Sequence, residues 1–434
     1  MTMQMVGTLG ILVLVVLMFL RVPVAIALLV VGLAGYSMIH SVDAALMVMG
    51  STPLQISTEY TMSVVPLFTL MGILAARMGM SRRLYAAAAA GFGTLRGSSA
   101  LATLGASGVF GAMNGSSLAS CVTIGRIAVP EMRAQGYRDT LIAGSVAAGG
   151  TLGILIPPSI IFVVYALITE QSVARLFAAG IIPGFLLTVF YCLAVVGTVL
   201  LDRTAAPRGV HTPWPERLRA LAGAWEAVIL FGVTIGGIYL GFFTPTEAAA
   251  VGVALALLIG FAMRTLTLRA MRDAVIETTV ITSVLFLVLL GATFFSYFVV
   301  QARLPQMMVG FLNGAGFTPM AVLMVVIAFY IIAGIVLDGI GLVLATVPII
   351  YPVMMGMGFD PVWFGVLLVV LVEFGLLSPP VGMNLFVMKT VAPDLSFRDI
   401  YVGVMPFLCA QGVLIVLLVA APQVALWLPG VLYP

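Results

Sequence analysis

Hydrophobic positions along this chain form long, nearly unbroken runs rather than the short periodic stretches of soluble helices and strands. The runs cover about 6–39, 60–76, 84–95, 101–129, 140–169, 174–201, 223–242, 246–263, 274–300, 318–357, 362–390 and 400–428. Many of them are near the roughly 20 residues that cross a bilayer as a helix. The pattern therefore predicts an all-α polytopic membrane protein with roughly ten to twelve membrane elements.

Polar segments between the runs predict loops and helix starts. The segment 202–219 carries four arginines and three prolines, and it predicts a cytoplasmic loop that joins two halves. Thr244-Pro245-Thr246-Glu247 has the pattern of a capping box, so we expect Glu247 to be structural. The segment 81–99 is short for a spanning helix. It predicts an interfacial arm or, as the alternative, a short tilted span.

The two halves of the chain repeat each other at an offset of 222 residues. The segments that align are PEMRAQGY…GILIPPS and PVMMGMGF…GLLSPPV, so Pro157-Pro158 corresponds to Pro379-Pro380. Adjacent prolines cannot continue a helix, because they remove backbone donors and clash with the preceding turn. Each segment is therefore predicted to be a broken helix. Matched breaks in two halves point to a binding site at the membrane midplane.

The predicted organisation is a single transmembrane unit, 1–434, built around these repeats. Its parts are repeat 1 at 44–200, with a hairpin at about 101–130 and a broken helix at about 138–169; a cytoplasmic loop with scaffold helices at 201–272; and repeat 2 at 273–428, with a hairpin at about 323–352 and a broken helix at about 361–390. Arg133 and Arg138 lie in the loop before the first broken helix, whereas 353–361 has no arginine or lysine. The positive-inside rule then predicts inverted repeats, and parallel repeats are the alternative.

A turn signal lies at the centre of the apolar run before each broken helix. It is Asn114-Gly115-Ser116-Ser117 in the first half and Asp338-Gly339 in the second, and the offset places Ser117 opposite Gly339. Each run is predicted to be a re-entrant helical hairpin whose tip lies beside a break. Carbonyl and hydroxyl oxygens suit a monovalent cation, and helix N-termini favour an anionic substrate group. For any single small residue, close helix packing is an equal alternative.

The candidate ion- and substrate-binding residues form two groups. The first group, hairpin 1 with its break, is Asn114, Gly115, Ser116, Ser117, Thr151, Gly153, Pro157 and Pro158. The second group, hairpin 2 with its break, is Asp338, Gly339, Glu373, Gly375, Ser378, Pro379, Pro380 and Asn384.

Acidic residues within the membrane are costly and point to function. Asp338 is expected either to contact an ion or to cap the second arm of its hairpin. Glu373 contacts an ion, pairs with an arginine such as Arg126, or lies near enough to the interface to be solvated. Glu59 and Glu226 lie at the starts of apolar runs and are predicted to be interfacial anchors.

Composition agrees with the membrane assignment and narrows the function. Hydrophobic residues make up 62% of the 434 residues and charged residues only 8%, against about 25% charged in soluble proteins. No basic face that could bind nucleic acid is present. The sequence has neither a GxxxxGK[ST] phosphate loop nor an HExxH zinc pair, so it predicts no enzyme activity, no organic cofactor and no transition metal. Met1–Met5 lacks a basic n-region, and the first run is expected to be a retained helix.

A resemblance to a known family rests on four long segments. They are GSSLASCVTIGRIAVPEMRAQGY, TLGILIPPSIIFVVYALITEQSVARLFAAGIIPGFLL, FTPTEAAAVGVALALLIG and EFGLLSPPVGMNLFVMKTVAP. They resemble the large membrane subunit, DctM type, of tripartite ATP-independent periplasmic (TRAP) transporters, and the resemblance covers essentially the whole chain. It implies a sodium-coupled symporter of the bacterial inner membrane that imports organic acids, such as a C4-dicarboxylate, sialic acid or another sugar acid.

The resemblance also implies partners and a mechanism. The partners would be a separate small four-helix membrane subunit (DctQ type) and a periplasmic substrate-binding protein (DctP type). A transport domain with both hairpins and both breaks would slide against a scaffold like an elevator. One sodium site would combine Asn114–Ser117 with Gly153–Pro158, and a second would combine Asp338–Gly339 with Gly375–Pro380.

Two other function classes stay open at this point. One is a stand-alone ion-coupled anion carrier of the related superfamily, which needs no binding protein. The other is a passive channel or membrane scaffold, against which the two inverted repeats with closed breaks argue.

Overall fold

The computed structural model describes residues 2–209 and 213–433, and every regular element in these ranges is a helix. The helices up to the central loop are α1 Met3–Phe19, α2 Val24–Ile39, α3 Val42–Thr58, α4 Val64–Arg77, α5 Met80–Phe92, α6 Ser98–Asn114, α7 Ser117–Ala134, α8 Asp139–Leu155, α9 Ile160–Thr169 and α10 Val173–Leu201. Those that follow are α11 Trp214–Ala222, α12 Trp225–Tyr239, α13 Pro245–Ala262, α14 Leu268–Gln301, α15 Leu304–Gly314, α16 Pro319–Val336, α17 Gly339–Gly356, α18 Pro361–Leu377, α19 Met383–Val391, α20 Phe397–Ala420 and α21 Gln423–Leu432. A 3-10 turn at Tyr60–Ser63 precedes α4.

Long apolar helices dominate this fold, as the hydrophobic runs predict. Eight spans within the described ranges are long and apolar enough to cross a membrane, and α11 with α12 makes a ninth if this pair, bent by 43°, is one span. Four further apolar helices, α1, α2, α18 and α21, have 10–17 residues.

The 222-residue offset of the sequence repeat also relates the helices. Adding it to Ser117–Ala134 gives 339–356, which are the bounds of α17, and adding it to Asp139–Leu155 gives 361–377, which are the bounds of α18. The arm helix α5 similarly corresponds to α15, whose amphipathic segment the hydrophobic runs missed. The repeat is therefore a repeat of structure, and each copy contains an arm, a two-helix hairpin and a broken helix.

The two broken helices run antiparallel to each other. The hydroxyl of Tyr165 in α9 donates to the Pro361 carbonyl at the start of α18 (2.7 Å), and the side-chain amide of Asn384 in α19 donates to the Ala147 carbonyl in α8 (3.2 Å). The earlier residue of the repeat 1 helix, Ala147, thus contacts the later residue of the repeat 2 helix, Asn384, and the later residue, Tyr165, contacts the earlier one, Pro361. Two broken helices that run side by side in opposite directions belong to inverted repeats, as the charge pattern predicts.

Positive charge is concentrated on one side of the helix layer. Tracing the helices through the membrane places every arginine except Arg175 and Arg303, together with Lys389, on or toward the side of the loop at 133–138. By the positive-inside rule that side is cytoplasmic. The tips of both hairpins and both proline pairs then lie between the two membrane surfaces.

Short helices near the predicted loops are where sequence reasoning and structure differ most. The predicted loop at 202–219 contains the start of α11, which no hydrophobic run predicts because none of its residues is buried. Arg217 of α11 donates to the carbonyls of Ala90 and Gly91 and so satisfies the C-terminal end of α5. The helix α5 has 13 residues, about 20 Å at 1.5 Å per residue, too short to span the bilayer. Its length agrees with the interfacial-arm interpretation of 81–99.

Candidate functional site at the hairpin tips

The tip of hairpin 1 is a tight turn between two helices. The helix α6 ends at Asn114, Gly115 adopts a left-handed conformation (φ +66°), and Ser116 accepts a hydrogen bond from the Ala119 N–H at the start of α7 (3.4 Å). A Cβ on Gly115 would lie 3.1 Å from the Pro158 carbonyl oxygen. This glycine therefore serves both the turn and the close approach of the tip to the first break.

The tip of hairpin 2 is built around a carboxylate cap. Asp338 accepts a hydrogen bond from the Gly341 N–H (2.8 Å) and so caps α17, which confirms the capping interpretation of this residue. Gly339 packs against Val372 of α18 and Ile161 of α9. The second tip therefore touches the broken helices of both repeats.

Each broken helix is interrupted at its proline pair. The helix α8 ends at Leu155 and α9 begins at Ile160, whereas α18 ends at Leu377 and α19 begins at Met383. The peptide bonds within Pro157-Pro158 and Pro379-Pro380 are both cis. Ser159 caps α9, but α19 begins after Gly382 with no side-chain cap. Ser378 ends α18, and its hydroxyl donates to the Phe374 carbonyl (2.7 Å).

Glycines bring each hairpin against its own broken helix. A Cβ on Gly153 would lie 2.8 Å from the Cα of Gly111, and a Cβ on Gly375 would lie 2.5 Å from the Cα of Gly334. Because these contacts are between backbones, no side-chain rotation could make room for a larger residue. At Gly153 and Gly375 the structure thus shows the packing role that the sequence left open. A role in ion binding stays a prediction for both.

A single cavity of about 180 Å³ joins the two tips. Its walls include six of the predicted site residues: Asn114, Gly115, Ser116, Ser117, Asp338 and Gly339. The wall formed by the hairpins and broken helices also includes isoleucines on both sides of the first break, and Leu376 and Met383 beside the second. The two predicted sites therefore face one shared space. The remaining candidates lie behind its wall.

Two residues of the opposite wall were missed by sequence reasoning. They are Thr69 of α4 and Glu277 of α14. The Thr69 hydroxyl is buried and has no hydrogen-bond partner in residues 2–209 and 213–433, and Glu277 forms an ion pair with Arg77 (2.8 Å). Neither residue has a sequence signal, because a lone Thr in an apolar run and a Glu near a helix start are ordinary features.

Behind the tips lies a buried polar layer between the broken helices. Thr151 contacts the hydroxyl of Tyr191 (3.1 Å), which in turn donates to the side-chain carbonyl of Gln411 (3.2 Å). The side-chain carbonyl oxygen of Asn384 is buried, and the described part of the chain offers it no hydrogen-bond partner. Thr151 and Asn384 are thus fully enclosed, whereas the tip residues reach a cavity.

Glu373 belongs to this buried layer. It is completely buried, and neither carboxylate oxygen has a hydrogen-bond partner among the described residues. Arg126 lies instead in cavities on the cytoplasmic side of hairpin 1. The predicted pairing of Glu373 with Arg126 and its predicted solvation near the interface are both wrong, because the carboxylate lies among packed helices. Contact with an ion stays a prediction.

Glu247 and Glu226 have structural roles. Glu247 and Thr244 form the predicted capping box: the Thr244 N–H donates to the Glu247 carboxylate (2.8 Å), and the Glu247 N–H donates to the Thr244 hydroxyl (3.3 Å). Glu226 is fully buried and pairs with Arg83 of the arm helix, so its assignment as an interfacial anchor is wrong. Removing one partner of such a buried pair costs about 3–5 kcal/mol.

Two charged contacts outside the membrane hold the cytoplasmic loops. Arg133, at the base of hairpin 1, pairs with Asp394 (2.5 Å), and this pairing lowers the pKa of the Asp394 carboxyl. Hydrogen bonds from Thr204 lower the pKa of Asp202, which also pairs with Arg138. Both carboxylates are partly exposed, so solvent screens these pairs. The first pair nevertheless joins the two repeats.

Comparison with known proteins agrees with this architecture. Residues 11–424 match the family model described as the tripartite ATP-independent periplasmic transporter, DctM component. The C4-dicarboxylate TRAP transporter large permease protein DctM of Vibrio cholerae is 32% identical and aligns over 96% of each chain. The protein of the same name from Pseudomonas aeruginosa is 35% identical over 86% of this chain and 87% of its own.

A further relative and a solved structure extend the comparison. The sialic acid TRAP transporter large permease protein SiaM of Vibrio cholerae is 32% identical over 95% of this chain and 96% of its own. The structure of the Alcanivorax borkumensis YdaH transporter is similar with a TM-score of 0.62 over 89% of this chain and 91% of its own, at 14% identity, which shows the fold alone. The chain is therefore a multi-pass transport protein of the bacterial inner membrane, not an enzyme, and it belongs to the DctM family of TRAP transporter large permeases.

Proposed function

We propose that this chain is the large permease subunit of a sodium-coupled transporter that imports an organic acid delivered by a periplasmic binding protein. The observation that carries the proposal is the shared cavity at the two hairpin tips. Amide, hydroxyl and carboxylate oxygens of Asn114, Ser117 and Asp338 border it, and oxygen ligands suit a hard monovalent cation. The N-termini of α7 and α17 face the same space and favour an anionic substrate group.

The two sodium sites lie at the tips. The first comprises the Asn114–Ser117 tip with the Gly153–Pro158 break, and the second comprises the Asp338–Gly339 tip with the Gly375–Pro380 break. Support comes from the close approach of Gly115 to the Pro158 carbonyl and from the backbone crossing of Gly334 with Gly375. Irregular backbone at this depth leaves carbonyl oxygens free to bind a cation.

An elevator motion accounts for how the site reaches both sides. Hairpin 1 packs on α19 of repeat 2, and hairpin 2 packs on α9 of repeat 1, so the hairpins and broken helices form one interlocked body. Thr69 and Glu277 contribute the opposite wall from α4 and α14. The interlocked body moves against these helices and carries the tip cavity with it.

The substrate class and the partners follow from the family. Relatives of this chain are named for C4-dicarboxylate and for sialic acid, both of which carry carboxylates. A small DctQ-type membrane subunit and a DctP-type periplasmic binding protein complete the transporter. Selection among organic acids is then shared with the binding protein.

The test is uptake of labelled succinate and labelled N-acetylneuraminate into proteoliposomes that contain this chain, the small subunit and the cognate binding protein. Uptake of one of them should require external sodium and the binding protein, and a proton gradient should not replace sodium. Uptake by this chain alone would assign it to the stand-alone anion carriers instead. Sodium-independent uptake would contradict the ion sites.

A further inference from the structure

The cytoplasmic side of hairpin 1 contains a second place where an anion can be held. A cavity of about 440 Å³ lies between the arm helix α5 and the second hairpin arm α7. Ser81, Arg82 and Arg83 of α5 form one wall, and Thr123 and Arg126 of α7 form the other. Arg82 and Arg126 also line a wider adjoining cavity of about 800 Å³ that reaches α11.

Positive charge in the smaller cavity is not balanced by acids. Arg83 pairs with the buried Glu226, but Arg82 and Arg126 form no ion pair within 4.0 Å in the described part of the chain. No acid lines this cavity; Glu131 and Glu216 line only the wider one, where Glu131 accepts a hydrogen bond from the Gln135 side chain (2.8 Å). Two guanidinium groups from different helices therefore line one cavity, and neither has an ion-pair partner among the described residues. Their planar donors match a carboxylate.

One face of α7 connects this cavity to the tips. Leu118 and Ala119 line the tip cavity, Thr123 and Arg126 line the smaller cytoplasmic cavity, and Glu131 lines the wider one. Of these, Ala119, Thr123 and Arg126 are three or four residues apart, so they lie along one side of the helix. The cavity on the outer side, about 570 Å³, is lined by Glu59 and Glu170, and no arginine is among the described residues of its wall. The positive cavity is thus found on the cytoplasmic side of the path.

We propose that Arg82 and Arg126 form a release subsite, which holds the carboxylate of a substrate between the tip cavity and the cytoplasm. The proposal rests on the proposed function for the substrate class and the direction of transport. It takes small carboxylate anions, because the walls supply two cationic groups and the Thr123 and Ser81 hydroxyls. The subsite needs both helices, since one arginine comes from the arm and the other from the hairpin.

The experiment measures the local field with thiol reagents on the full chain in vesicles. Thr123→Cys is introduced after Cys192 and Cys409 are replaced by serine, and the fully buried Cys121 stays. Labelling rates are compared for a sulfonate-bearing methanethiosulfonate and the uncharged methyl compound. In each reaction the thiolate displaces a sulfinate and forms a mixed disulfide. The ratio of the two rates cancels any change in thiol reactivity.

The ratio should favour the anionic reagent, and Arg82→Gln or Arg126→Gln should each lower it about fivefold, as expected when a charge that focuses anions is removed. The uncharged reagent should still label Thr123→Cys in both arginine variants, which shows that the cavity is still open. Thr293→Cys in the outer cavity is the matched control, and its ratio should be low and insensitive to both arginine substitutions. An unchanged ratio in the arginine variants would overturn the proposal.

Protection of the Thr123→Cys thiol from labelling shows which anion occupies the cavity between Arg82 and Arg126. Millimolar succinate should slow labelling of the Thr123→Cys chain by the uncharged reagent, and this protection should disappear in either arginine variant. The assay is run in phosphatidylcholine vesicles with and without phosphatidylglycerol. If the anionic lipid abolishes both the charge preference and the protection, a lipid phosphate occupies the arginines and the proposal fails. Labelling needs neither partner nor transport, so a failure of the proposed function would not alter this result.

Discussion

In repeat 1 the hairpin tip consists of Asn114, Gly115 and two serines, whereas the corresponding turn of repeat 2 is Asp338-Gly339. In the broken helices behind the tips, the offset places Thr151 of α8 opposite Glu373 of α18, and both are fully buried. The hairpins, the breaks and the backbone crossings nevertheless match. The comparison teaches that geometry is common to the two repeats, while ionisable groups at this depth are found in repeat 2.

The largest effect is expected where the two repeats are the same, at the glycine crossings. Gly153→Ala and Gly375→Ala each put a methyl group within 3 Å of a backbone atom of the hairpin. Overpacking of this kind costs about 1–3 kcal/mol, so both variants should melt earlier in detergent and accumulate less in the membrane. Gly412→Ala, where a Cβ meets open space, is the control and should be neutral or stabilising. Equal melting of all three would show that the crossings are looser than described.

Substitutions at the two hairpin tips should change the sodium dependence of uptake to different extents, because only the tip of repeat 2 carries a carboxylate. Asp338→Asn keeps an N-cap side chain but removes the charge, and we expect the sodium concentration for half-maximal uptake to rise about tenfold. Ser117→Ala removes only a neutral hydroxyl and should raise it about threefold. Protein abundance should change little in either variant. A loss of abundance without a change in sodium dependence would assign both residues to packing.

Thr151 and Glu373 are equivalent and equally buried, so substituting each tests whether the carboxylate of Glu373 contributes to sodium binding. Glu373→Gln conserves shape, so we expect normal folding but a sodium requirement raised about fivefold, because a carboxylate binds a cation better than an amide does. Thr151→Ser keeps the hydroxyl that contacts Tyr191 and should leave uptake unchanged. Wild-type sodium dependence in the Glu373 variant would falsify a role for this carboxylate in ion binding.

The smallest effect is expected at the pair that joins the repeats on the cytoplasmic side only. Arg133 and Asp394 have the uncharged counterparts Met355 and Ser172 at the 222-residue offset. Because pairing lowers the pKa of Asp394, its contribution is present above the unfolded pKa and is lost as pH falls through the lower folded value, below about pH 4. Arg133→Gln should lower the melting temperature slightly at pH 7, because solvent screens this exposed pair, and should not lower it at pH 3. A larger loss at pH 3 than at pH 7 would contradict the pairing.

Much of this fold could be predicted because it depends on short sequence patterns. Proline pairs cannot continue a helix, a Gly-Ser or Asp-Gly turn inside an apolar run ends one, and arginines mark the cytoplasmic side. Those features predicted the breaks, the tips, the capping box at Thr244 and the inverted arrangement of the repeats. The helices α3, α11 and α15 were missed, because their mixed composition places them outside the long hydrophobic runs that predict membrane helices.

The sequence by itself determined that this is a membrane transporter with two inverted copies of a hairpin and a broken helix, since each depends on residues close together in the chain. Only the tertiary structure decided that the two tips share one cavity, that Thr69 and Glu277 face it, and that Arg82 and Arg126 meet on the cytoplasmic side. It also decided that Glu226 pairs with Arg83 and that Glu373 has no such partner among the residues that the structure describes. The physical reason is that these contacts join residues tens to hundreds of positions apart, and their side chains meet only after the repeats have packed against each other.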